Sequence, residues 1–204
     1  MELIINLKNY KHGEKALELA KKLEKINQNI ILGVSSIDIS YLNKKTKLKL
    51  FAQHIDSIND ERATGFLTAK AIKSHGAKGT FLNHSEHPIK FNDLKTAVNI
   101  CKKQNLKIII FAKNLREAKK IMRLSPYAIA YEDPKLISTG KSITKYKSSK
   151  ISKFAKLLKG TKIISLCGAG ISSKEDIKKA EEFGCKGVAL SSAIAKRGNL
   201  KILE

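Results

Sequence analysis

Residues able to move protons or hold an anion recur where short apolar runs end. Asn6 and Lys8 follow the first run, Gln53-His54 the third, Asn83-His84-Ser85-Glu86 the fourth and Glu132 the sixth. Gly168-Ala169-Gly170 follows the seventh run and Ser191-Ser192 the eighth. A carboxylate and an imidazole are the common agents of general acid–base catalysis. Turns of small residues leave backbone N–H groups free to cradle a phosphate, above all where a short helix begins. Taken singly, a Glu after a strand is ordinarily a solvated loop residue; the weight lies in several such residues meeting on one face.

Two motif fragments are decoys. His84-Ser85-Glu86 has the H-x-E of the zinc deaminases, but no P-C-x-x-C follows it. Gly140-Lys141-Ser142 mimics the end of a P-loop, yet Lys135 stands where the first glycine of that pattern belongs. No metal site is expected. His54 and His87 are expected to be structural or exposed, and Cys167 a small buried residue rather than a nucleophile.

The elements that must position these residues follow from the apolar pattern. Strand candidates are 3–7, 30–34, 48–53, 79–83, 107–112, 127–132, 162–166 and 187–190. Helical patterns lie between them at 14–26, 91–104, 115–124, 149–158 and 174–183, with shorter helices at 37–42 and 64–74. Strict alternation of strand and helix predicts a parallel sheet, because parallel neighbours need a crossover. Eight units of about 25 residues suit a closed (β/α)8 TIM barrel near its minimum length, with the active site at the C-terminal ends of the strands. A doubly wound open sheet would advertise a Gly-rich turn after its first strand, where this chain has Asn6-Leu7-Lys8-Asn9-Tyr10. With no linker or break in composition, residues 1–204 are expected to form one domain whose last helix is truncated.

Composition narrows the partners. The 204 residues carry 40 Lys+Arg against 18 Asp+Glu, a formal charge of +22. That sign suits nucleic acid, an anionic small molecule or a solvated lysine-rich surface. Only Arg62, Arg116, Arg123 and Arg197 are arginine, and lysine solvates helix faces rather than reading base edges. A dedicated nucleic-acid site is therefore not expected. Three cysteines without a C-x-x-C pair suggest neither disulfides nor a zinc ribbon. The expected compartment is the cytoplasm, with no membrane segment.

Five stretches in register carry a specific resemblance: Ile5-Asn6-Leu7-Lys8, Phe51-Ala52-Gln53-His54-Ile55-Asp56, the block from Gly76 to Glu86, Tyr131-Glu132 with Leu136-Ile137-Ser138-Thr139-Gly140, and Leu166 to Ser172. In these the chain resembles the triosephosphate isomerases, of the short archaeal kind, over almost its whole length. The resemblance implies isomerisation of dihydroxyacetone phosphate and glyceraldehyde 3-phosphate through an enediolate, in glycolysis and gluconeogenesis, without metal or organic cofactor. It implies Glu132 as the base, His84 as the neutral imidazole that polarises the carbonyl, and Lys8 and Asn6 as enediolate stabilisers. Glu86 matches a supporting carboxylate. Ile137, Ser138, Gly170, Ser191 and Ser192 fall where the family's phosphate and substrate contacts arise.

The segment from Asp133 to Ser142 would be the lid. The family commonly has proline and glycine where this chain has Asp133 and Ser138, changes that bear on turnover more than on reaction type. Thr64-Gly65 matches the tip of a loop that reaches into a neighbouring subunit, which implies a homo-oligomer, a tetramer rather than a dimer. The competing reading, from the +22 charge and the altered lid, is a catalytically weakened barrel serving as a basic nucleic-acid or partner-binding module.

Overall fold

The strand runs are apolar on both faces, and only a parallel sheet covered on both sides buries all of them. A computed structural model describes residues 1–137, 139 and 142–204. Its strands are β1 Glu2–Asn6, β2 Ile31–Val34, β3 Lys49–Ala52, β4 Gly79–Leu82, β5 Lys107–Ala112, β6 Ala128–Tyr131, β7 Ile164–Cys167 and β8 Gly187–Leu190. Neighbours pair in parallel and in chain order, and β8 returns to β1 with Glu2 opposite Gly187 and Ile5 opposite Leu190. The sheet is a closed (β/α)8 TIM barrel.

Helices cross between the strands: α1 Gly13–Ile26, α2 Ile39–Asn43, α3 Ala69–Ser74, α4 Phe91–Lys103, α5 Leu115–Met122, α6 Ile143–Tyr146, α7 Ser148–Leu158, α8 Lys174–Glu182 and α9 Ser192–Ala195. Alternation along the pleat divides the apolar residues into two cores. Ile4, Phe51, Phe81, Phe111 and Leu166 fill the barrel's interior, while Ile5, Leu32, Leu50, Ile110 and Ile129 pack beneath the helices. Inside, the Phe81 ring meets Phe51 at 6.0 Å and Phe111, edge-on, at 5.5 Å. Phe111 in turn meets His84, so the interior core supports the C-terminal end of the barrel directly.

Of the boundaries that differ from expectation, two have a clear local cause. The helix expected at 64–74 begins only at Ala69, because Thr68 caps it through a bond from the Ala71 N–H. Before it, Asp56 and Leu67 exchange two bonds, the Leu67 N–H donating to the Asp56 carboxylate at 2.7 Å and the Asp56 N–H to the Leu67 carbonyl at 2.9 Å. They pinch residues 57–66 into an excursion with Thr64, Gly65 and Phe66 exposed. β7 starts at Ile164 rather than 162, since Thr161 holds a turn by accepting the Ile163 N–H. After β8 the chain makes only four-residue α9 and a 3-10 turn, Leu200–Ile202, the expected truncation. Among the described residues, no helix is long and apolar enough to cross a membrane.

Candidate active site

At the exit of β1, Asn6 and Lys8 form a braced turn. The Asn6 side-chain oxygen accepts the Lys8 N–H at 2.9 Å and the Gln53 amide at 3.2 Å; the same amide donates to the Lys8 carbonyl at 2.9 Å. Lys8 holds a left-handed backbone, φ 47°. Its ammonium meets the Glu86 carboxylate at 2.5 Å, with Glu86 half in solvent.

His84 stands just beyond β4, where Asn83 turns the chain at φ 58°. Asparagine tolerates that conformation, and here its side chain fixes it. The Asn83 amide donates to the Phe111 carbonyl at 2.9 Å and to Glu117 at 3.2 Å, and its oxygen accepts the Ile89 N–H at 3.0 Å. The Glu86 N–H donates to His84 Nδ1 at 3.2 Å. Nδ1 therefore presents a lone pair, which assigns the ring proton to Nε2.

Nε2 lies 3.4 Å from Oε2 of Glu132, and both side chains are nine-tenths buried. Glu132 follows β6 and ties its backbone N–H to the Ala112 carbonyl at 3.0 Å. Its Oε2 has no hydrogen-bond partner among the described residues. A buried carboxylate oxygen so left is costly unless a ligand or reaction uses it. Across from it, β7 gives way to Gly168, where any Cβ would fall on the Glu132 carboxylate.

Beyond Glu132, Asp133 caps the 3-10 turn Pro134–Leu136 by accepting the Lys135 N–H at 3.1 Å. Lys147 stands 3.8 Å from the Asp133 carboxylate and offsets the negative charge this position brings. The far root of the same segment is held by buried Asp176. Its carboxylate accepts from the hydroxyls of Thr144 at 2.8 Å and Ser173 at 3.0 Å, and from the Ser172 N–H at 3.0 Å. Burial acts to raise the Asp176 pKa, but these bonds, with one from Ser142, outweigh it and hold the carboxyl below its ordinary range.

One pocket is walled by Asn6, Lys8, His84, Glu132, Ile137, Gly170, Ser191 and Ser192. Glu86 does not line it and reaches it through Lys8 and the His84 ring. Ser138 lies outside the described residues. Ala169, at φ 76°, turns β7 toward the pocket, and the Ser191 hydroxyl is buried there without a partner among the described residues. The other expectations resolve by packing. His54 and His87 stack at 4.0 Å in a neighbouring groove, and burial, then the charge of His87, lowers the His54 pKa. Cys167 is buried, its pKa driven up by a hydrogen bond with Cys185 and by burial, which keeps it a thiol. No group of three or more metal-binding side chains occurs among the described residues.

Four residues were absent from the set read off the sequence. Gln53 and Gly168 were visible as strand-end residues, but their bracing of Lys8 and Glu132 is a matter of contact across strands. Asp176 had a local signal, Ser173 three positions before it in a helix-capping pattern. Arg197 lines the pocket, and its one mark in sequence was being an arginine among lysines.

Comparison with known proteins bears on this site. The family model described as triosephosphate isomerase matches residues 1–203. A triosephosphate isomerase of Methanocaldococcus jannaschii is 36% identical, over 98% of this chain and 95% of that protein. Those of Methanothermus fervidus and Sulfolobus acidocaldarius are 35% and 34% identical, over 94% and 95% of this chain and 90% and 87% of theirs.

Proposed function

The chain belongs to the triosephosphate isomerase family, and from that membership and the pocket we infer an isomerase that interconverts dihydroxyacetone phosphate and D-glyceraldehyde 3-phosphate. The observation that carries the reading is the pairing of His84 Nε2 with an otherwise unpartnered Glu132 oxygen in a pocket that also holds Lys8 and Asn6.

Glu132 is the base that takes a proton from the carbon beside the carbonyl. As the enediolate forms, negative charge collects on oxygen, and donors already in place stabilise it at little reorganisation cost. His84 offers its Nε2–H and shuttles protons between the two oxygens, while Lys8 supplies a positive charge and Asn6 an amide. Glu86 orients both Lys8 and His84. Ile137, Ser138, Gly170, Ser191 and Ser192 form the phosphate and substrate contacts. Closure of the segment from Asp133 to Ser142 keeps water from the intermediate.

The working unit is a homo-oligomer of one-domain chains, a tetramer in preference to a dimer, acting in the cytoplasm. Supporting assembly, Thr64, Gly65 and Phe66 project at the tip of the pinched excursion, and Phe66 is 53% exposed. A groove lined by Lys8, Tyr10, Gln53, His54 and His87 lies against the Asn6–Lys8 turn and suits the tip of a second copy. No observation among the described residues favours the nucleic-acid reading.

The test is a coupled isomerase assay without added metal, with 2-phosphoglycolate, a mimic of the enediolate, as competitor. Turnover that this mimic inhibits more tightly than inorganic phosphate does is expected; undetectable turnover overturns the reading.

A further inference from the structure

We propose that Arg197 is a phosphate-binding residue of this barrel, adding a guanidinium to a cradle otherwise made of backbone and small side chains. The proposal rests on the triose phosphate reading and extends it to a residue outside the set above. Arg197 lines the same pocket as Gly170, Ser172, Ser191 and Ser192, on the side of the pocket formed after β8.

Its backbone is fixed to that wall. The Arg197 N–H donates to the Ser192 carbonyl at 3.0 Å, and the next two N–H groups donate to Ile194 and Ala193, each at 3.0 Å. Gly198 permits this with φ 67°, closing α9 so that Arg197 leaves the chain beside the pocket.

Charge accounting singles it out. Among the described residues, the cations lining the pocket are Lys8 and Arg197. Lys8 is already paired with Glu86, whereas no ion pair or side-chain hydrogen bond reaches Arg197 among the described residues. A dianion entering the pocket would thus meet one committed cation and one uncommitted one. The wall beside Arg197 also holds the buried Ser191 hydroxyl, without a partner among the described residues and able to donate to the same oxygens. A helix of four residues has little dipole to offer an anion; a guanidinium, planar and able to bond phosphate through two N–H groups, makes up that deficit.

The experiment compares wild type, Arg197→Ala and Arg197→Lys. Calorimetric titration with inorganic phosphate and with 2-phosphoglycolate is set beside steady-state rates on glyceraldehyde 3-phosphate and on unphosphorylated glyceraldehyde. Arg197→Ala is expected to weaken both ligands about tenfold, the loss for one charge-assisted contact. It should lower the preference for phosphorylated over unphosphorylated substrate by a similar factor, and Arg197→Lys should recover part of each. Ligand affinities and preference unchanged from wild type overturn the proposal. Should wild type fail to isomerise, the functional reading falls, and the phosphate titration alone still decides the role of Arg197.

Discussion

His84 Nε2 and Glu132 Oε2 stand 3.4 Å apart at the exits of β4 and β6, with the carboxylate oxygen buried and unpartnered among the described residues. Substituting Glu132→Gln keeps the shape and removes the base we propose. Turnover should fall by about 10³-fold, while the melting temperature holds or rises because a buried charge has gone. Steady-state kinetics and calorimetric melting check this together; a fall of less than tenfold would show that Glu132 is not the base.

Gly168 leaves the room that the Glu132 carboxylate occupies. In Gly168→Ala the new methyl displaces the Glu132 carboxylate by a fraction of an ångström or more. Misplacement of that order costs about 10²-fold in rate. The barrel should stay folded by circular dichroism, and KM should move much less than kcat. Equal rates in both proteins would mean that Glu132 works from a different position.

Asp176 joins residues 142–144 to 172–173 through a carboxylate whose pKa lies below its ordinary range, hydrogen bonds outweighing burial. A depressed folded pKa contributes stability above the unfolded value, and that contribution is lost as pH falls through the folded value. Asp176→Asn should therefore be less stable than wild type at neutral pH by about 2 kcal/mol. The two unfolding midpoints should converge in acid, at a pH below the usual carboxylate range. Urea titrations across that range test it, and a gap that does not change with pH would contradict the assignment.

Phe66 exposes its ring at the tip of the excursion pinched by Asp56 and Leu67. If that tip seats in a second copy beside Lys8, Phe66→Asp should shift the protein to monomers in sedimentation. It should also lower activity per chain by roughly tenfold, since Lys8 loses its buttress. A wild-type monomer with full activity would remove the basis for an obligate assembly.

The fold was legible because β-branched runs buried on both faces leave few choices, and all eight strands start and end within two residues of their expected bounds for that reason. Glu132, His84, Lys8 and Asn6 were visible as strand-end residues, and their resemblance in register completed the set. What sequence hid was support across strands. Nothing in local pattern says that Gln53 holds Asn6, or that Gly168 yields its volume to Glu132. The 64–74 helix was overextended because Phe66 and Leu67 continue an apolar pattern, while the deciding contact, Asp56 with Leu67, spans eleven positions.

Lys8, Asn83 and Ala169, non-glycine residues with left-handed backbones, follow β1, β4 and β7 within two positions. Each such conformation costs on the order of 1 kcal/mol. A search for more heat-resistant variants would find glycine attractive at all three, and at two of them the gain would erase a working side chain. Lys8 would lose its ammonium and Asn83 the bonds that hold His84 in place. Only Ala169 can relax without surrendering a functional group, so selection for durability and selection for turnover oppose each other at the first two sites and part company at the third.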